Sequence, residues 1–310
     1  MDSPLWRDTL KAILTYLILM AIVLFFPVIG LVIALFIPMP LVWLSYHHGW
    51  KQGTIAALVS SLLLSFLLGP FSIVFTILFA VPGILIGYLF KIDSPAFLVL
   101  KGAGLSVTAG VVLLYVATNL FLNIDPVQAF QNAMLESVET SEAILDMVDP
   151  ADGMVVEDMR ASIEFFNVIA PVVMVMISVT YALLIQLVAA HILRKGANEI
   201  PYFPPFREWG FPQVFIWYYL AVLMLGFVGF EPGTPVYLAV QNALPALQLI
   251  VAIQGMAVVF YYFHHKRKSV IWPFLVLFLV FLLPIFLQLI RILGIIDLGF
   301  NLRKRMRGTD

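Results

Sequence analysis

The 310-residue chain contains no cysteine. Disulfides, cysteine-ligated zinc, iron–sulfur clusters and thiol nucleophiles are all excluded by that absence. Charge is the second scarcity. Asp, Glu, Lys and Arg make up 11% of the residues, against about a quarter in soluble domains. The formal net charge is only −1, so the high charge and low hydrophobicity of a disordered chain are excluded too. Catalytic signatures are also missing: there is no His-Glu-x-x-His, no Gly-x-Ser-x-Gly and no phosphate-cradling Gly-x4-Gly-Lys. An enzyme is therefore not expected, and no cofactor is implied.

Apolar sequence is what the chain has instead. Hydrophobic residues make up 62% of it, and its mean hydropathy is +1.03. Residues 12–50 carry no formal charge, and neither do residues 52–90; each window is 39 residues long. One helix of that length would be about 58 Å long, roughly twice the hydrocarbon core, so each window folds back once. Pro27 and Gly30 break the first window, and Gly69-Pro70 breaks the second. The result is four segments near 10–26, 29–46, 52–68 and 71–89. Charge-free windows at 102–124, 165–193, 209–230, 232–263 and 269–290 supply five more. The run after Arg7 and Lys11 lacks a small-x-small cleavage site and reads as a retained first segment. Continuous rather than alternating apolar runs exclude a β-barrel. The fold class is all-α: a polytopic transmembrane bundle of eight to nine segments, with an amphipathic extracytoplasmic helix.

Basic residues set the orientation. Lys51, Lys91 with Lys101, Arg194-Lys195 with Arg207, and His264-His265-Lys266-Arg267-Lys268 fall on one side if the N-terminus is cytoplasmic. A ninth full crossing would put Arg303-Lys304-Arg305 outside, against the rule; a hairpin at Pro284 would return the C-terminus inside. Two parts are expected: a six-helix bundle over 1–193 and C-terminal helices with basic cytoplasmic loops over 194–310. The localisation is the cell membrane, multi-pass. Partners are the bilayer, anionic lipids at the basic ends and a further membrane protein, with too little basic surface for nucleic acid.

The loop 123–164, on the opposite side, holds ten acidic residues against Arg160 alone, a net −9. Asp125-Pro126 has the form of an N-cap with proline at the first helical position. Val127, Phe130, Met134, Val138, Leu145 and Val148 then follow on one helical face, and the acids lie on the other. The reading is a helix capping the outer mouth, apolar face down on the bundle. Asp146, Asp149 and Asp152 lack the alternate spacing of a calcium loop, so no metal site is expected.

Within the membrane, Arg291 and Asp297 lie near a segment end, where snorkelling costs little. Asn119, Gln186, Gln241 and Gln248 are the candidates for ligand contact, with interhelical hydrogen bonding as the other reading. Small residues at four-residue spacing mark close helix contacts: Ala56 with Ser60, Gly83 with Gly87, and Gly102, Ser106 and Gly110.

Several patterns combine: Pro27-Val28-Ile29-Gly30, Ile37-Pro38-Met39-Pro40-Leu41, Gly49-Trp50-Lys51-Gln52-Gly53, Leu68-Gly69-Pro70, and a C-terminal Gly-Ile-x-Asp-x-x-x-Asn-x-Arg over Gly294 to Arg303. Together they resemble the YybS-like family of bacterial membrane proteins over nearly the full chain. The first six segments also look like the substrate-binding subunit of energy-coupling-factor vitamin transporters. That second likeness implies a small ligand near the outer side of segments one to six. The chain departs from it where Ala12 is followed four residues later by Tyr16 rather than alanine. A scaffold or regulatory partner in the envelope is the alternative role.

Overall fold

The computed structural model describes residues 3–145, 153–195 and 200–307. Every regular element among them is helical, and they fall into two compact units that meet in sequence between Tyr202 and Phe203. Asp146, Asp149 and Asp152 lie outside the described residues.

The first unit begins with α1 (Ser3–Phe25), α2 (Pro27–Ile33), a 3-10 turn and α3 (Met39–His48). It continues with α4 (Trp50–Leu68), α5 (Phe71–Lys91), α6 (Ala96–Leu122), α7 (Pro126–Leu145) and α8 (Gly153–Arg194). Residues 29–46, expected as one uninterrupted segment, are broken in the middle. Pro38 and Pro40 lack N–H groups, so the helix stops and restarts there. The hydroxyl of Tyr181 on α8 donates to the carbonyl of Ala34 at 2.6 Å, taking up an acceptor at the break. Lipid offers no such partner, so a break of this kind survives only where protein supplies one.

The small-residue seams lie inside this unit. A Cβ on Gly83 would come within 2.7 Å of the Pro38 carbonyl, and one on Gly110 within 2.8 Å of Leu78 Cα. Gly87 lies against Val42 and Ser45 in the same way. Ala56 and Ser60 are fully buried on α4. Gly102 and Ser106 are only half-buried, so the tight contact of α6 is at Gly110 rather than along the whole expected stripe. Tyr16, Met20, Leu41, Leu44, Ile86 and Phe90 fill the space these close approaches leave.

Asp125 caps α7 as its sequence predicts: Oδ1 accepts from the N–H groups of Val127 at 2.8 Å and Gln128 at 3.2 Å. The helix does not lie face-down on the bundle. α8 is 42 residues long, about 63 Å, so its N-terminal turns continue past any hydrocarbon core. α7 packs on those turns. Val138 meets Val156 and Ile163, and Gln131 donates to the Ile163 carbonyl at 2.8 Å. Of the apolar face that was expected to cover the bundle, Val138 packs within this two-helix hairpin while Phe130 and Met134 remain exposed.

The second unit holds a 3-10 turn at Phe206–Glu208, α9 (Val214–Val228), α10 (Pro235–His265), α11 (Ile271–Leu282), α12 (Pro284–Phe300) and α13 (Leu302–Arg307). The chain bends by 120° between α11 and α12. Pro284 has no N–H to offer, and Leu283 before it adopts extended backbone, as residues before proline do. The terminal stretch is thus a bent pair rather than a ninth straight crossing. α10 and α12 touch backbone to backbone: a Cβ on Gly255 would lie 2.9 Å from the Gly294 nitrogen.

Seven helices or helix runs among the described residues are long and apolar enough to cross a membrane, and α9 is a shorter apolar helix. Large apolar side chains such as Phe66, Leu105, Phe227 and Phe281 stand more than 70% exposed. On a water-soluble surface such a density would form an aggregation patch; in hydrocarbon it is the expected exterior.

Candidate functional site

In the second unit the chemistry converges on Asp297. It is 97% buried rather than snorkelling from a helix end. Oδ2 accepts from Gln254 Nε2 at 2.5 Å and from Arg303 Nε and Nη2, both at 3.0 Å. Oδ1 accepts from the Arg303 backbone N–H at 3.2 Å. Arg303 Nη1 donates onward to the carbonyls of Arg207 and Trp209, while Gln254 Oε1 accepts from the Phe211 N–H at 2.9 Å. Every partner needed to keep a carboxylate buried is present.

The local sequence explains the assembly. Asn301, left-handed at φ 50°, ends α12 and lets the chain turn back. Its carbonyl then accepts from the N–H groups of Lys304 and Arg305, so the same residue opens α13. The turn delivers Arg303 to the carboxylate six residues behind it. The Gly-Ile-x-Asp-x-x-x-Asn-x-Arg pattern is therefore one structural device: Gly294 permits the approach to α10, Asp297 is the acceptor, Asn301 turns the chain and Arg303 closes the pair. A hollow of about 340 Å³ beside it is lined by residues of both signs, Arg207, Glu208 and Lys304 among them.

In the first unit an open groove of about 600 Å³ runs along α1. Asp8, Lys11 and Thr15 line its end nearest the start of α1; Leu19, Phe36 and Met39 line the rest. Asp8 Oδ2 lies 3.1 Å from His48 Nε2, and Lys91 Nζ donates to the His47 carbonyl at 3.1 Å. These contacts gather the start of α1 and the ends of α3 and α5 at one end of the unit.

The four sequence candidates do not form one site. Gln186 is 99% buried and donates to the Ala96 carbonyl at 2.9 Å, tying α8 to the start of α6. Asn119 is half-buried on α6, near Tyr115, whose hydroxyl donates to Asp125 at 3.1 Å. Gln241 and Gln248 are half-buried on α10, in the other unit. Gln254 is one of several uncharged polar residues on this helix and not among the four candidates; nothing in its local sequence distinguishes it from Gln241 and Gln248.

Fold and centre together define an all-α, multi-pass membrane protein in which a bent terminal helix pair is fastened by a buried ion pair. The chain belongs to the family described as predicted membrane protein DUF2232, whose pattern matches residues 13–298. It is similar to the "Uncharacterized protein YybS" of Bacillus subtilis (strain 168), 29% identical over 296 residues, covering 94% of this chain and 95% of the relative. No solved structure matches the chain. The likeness of its first six segments to vitamin-transporter subunits thus rests on topology and turns alone.

Proposed function

We propose that this protein binds an amphiphilic small ligand in the α1 groove of its first unit, in a transport-related role at the cell membrane, and catalyses no reaction. The groove carries the reading. It has the volume of a ligand site, an apolar length that accepts a hydrocarbon chain, and Asp8, Lys11 and Thr15 grouped at one end for a polar head. Its position moves the expected ligand away from the α7 side, because α7 is committed to its hairpin with α8. With the N-terminus cytoplasmic, as the basic residues favour, the polar end of the groove faces the cytoplasm and the hairpin lies outside.

The test is thermal stabilisation of the purified, delipidated protein. Single-chain amphiphiles should raise its melting temperature, and water-soluble vitamins or nucleosides should not. Thr15→Trp and Leu19→Trp, which fill the groove, should abolish the rise. A rise unchanged in both variants would overturn the assignment. Exposure of Phe130, Met134 and Met159 on the hairpin favours a second reading, an envelope scaffold. Co-purification of an extracytoplasmic partner through the hairpin, with no amphiphile effect, would establish that reading instead.

A further inference from the structure

The basic end of the second unit contains a second, separate hollow that does not rest on the groove. It measures about 210 Å³, and Arg207, His264, Lys268 and Ser269 supply its polar lining. No carboxylate lines it among the described residues, unlike the mixed-charge hollow beside Asp297. Phe206, Phe260 and Phe263 form the rest of its wall, with Phe206 and Phe260 edge-on at 5.2 Å.

Its two main cations are held by the fold. The Arg207 carbonyl accepts from Arg303 at 3.1 Å, so the buried ion pair fixes where Arg207 sits. Its guanidinium lies 3.8 Å from Glu208 on the surface, a contact worth little. Lys268 follows Arg267, which is left-handed at φ 50°, and its N–H donates to the Phe263 carbonyl at 2.9 Å. Both side chains can therefore turn to an incoming anion at small conformational expense.

Phe263 is shared with a third hollow of about 340 Å³, lined by Val258, Val276, Leu293, Leu302 and Met306 and wholly apolar. Phe263, common to both hollows, stacks with Trp272 at 6.3 Å. A cationic pocket next to an apolar one, at the basic end of helices that cross a membrane, matches one chemistry: a phosphate head with a hydrocarbon tail.

We propose that the second unit holds an anionic phospholipid, its phosphate between Arg207 and Lys268 and one acyl chain past Phe263 in the apolar hollow. The experiment is native mass spectrometry of the full chain released from mixed phosphatidylglycerol and phosphatidylcholine. Phosphatidylglycerol should be retained in preference, at one lipid per chain. The double variant Arg207→Gln with Lys268→Gln should weaken retention roughly thirtyfold, on the scale of two basic groups at an anionic surface. Leu293→Trp, which keeps every charge but fills the tail hollow, should also weaken it. Lys51→Gln, a surface cation of the first unit, should leave it unchanged. Equal loss with Lys51→Gln would show diffuse charge attraction and overturn the site. Displacement by inorganic phosphate with full retention in Leu293→Trp would make the ligand a free anion and overturn the lipid assignment.

Discussion

Asp297 shows how a single side chain can hold a unit closed. Its carboxylate is buried among helices, with Arg303 donating to both oxygens and Gln254 of α10 to one of them. Replacing Arg303 with Met leaves that charge unpaired and should cost about 3–5 kcal/mol. The double replacement Asp297→Leu with Arg303→Met should cost less than the sum of the two single changes, because no buried charge is stranded. Thermal unfolding of the three variants in detergent checks this; strict additivity would mean the pair is not coupled. Gly294→Ala tests the neighbouring contact. Its methyl group would meet the Val251 carbonyl, which is backbone and cannot swing aside. A loss of at least about 1–3 kcal/mol is expected, against near-neutrality for Gly226→Ala, where an added Cβ would meet only Val240 Cγ1 at 3.7 Å.

At the scale of elements, the α7–α8 hairpin is the most locally specified part. Asp125→Ala removes a cap with two backbone donors and should destabilise α7 by about 1 kcal/mol. Hydrogen exchange over residues 126–141 should quicken in that variant while exchange in α5 stays unchanged. Uniform quickening would show that the hairpin does not open on its own. The cap, the proline and the apolar spacing of α7 were all legible in sequence, since each acts within one turn of helix. The surface that α7 meets was not legible. An apolar stripe shows that a helix buries one face, and the identity of its partner depends on how far α8 runs beyond the bundle. Gly255 and Gly294 were unreadable for a related reason. Each has a large residue four positions before it, Val251 and Ile290, so neither makes a Gly-x-x-x-Gly, and the contact exists only between two helices.

For the whole molecule, helix number and fold class follow from charge-free lengths, because hydrocarbon thickness is an external ruler that the sequence must match. The end of the chain did not follow, since a bend at Pro284 and a kinked crossing share one composition. In the structure Arg303 lies against the carbonyls of Arg207 and Trp209, so the terminal basic cluster shares an end with the 206–211 stretch. The absence of native cysteine makes this directly measurable. Single cysteines at Ser269 and Lys304 should label from the same side of the membrane, and one at Ser137 from the opposite side. Labelling of positions 269 and 304 from opposite sides would contradict the returning hairpin. The length of α8 has a mechanical consequence. From Gly153 to Arg194 it is one rod, pinned by Gln131 near one end and by Gln186 to Ala96 near the other. Pro171 lies between the pins, where one missing backbone hydrogen bond makes bending cheapest. A pull on the hairpin is therefore taken up first as a bend at Pro171, before it reaches the start of α6.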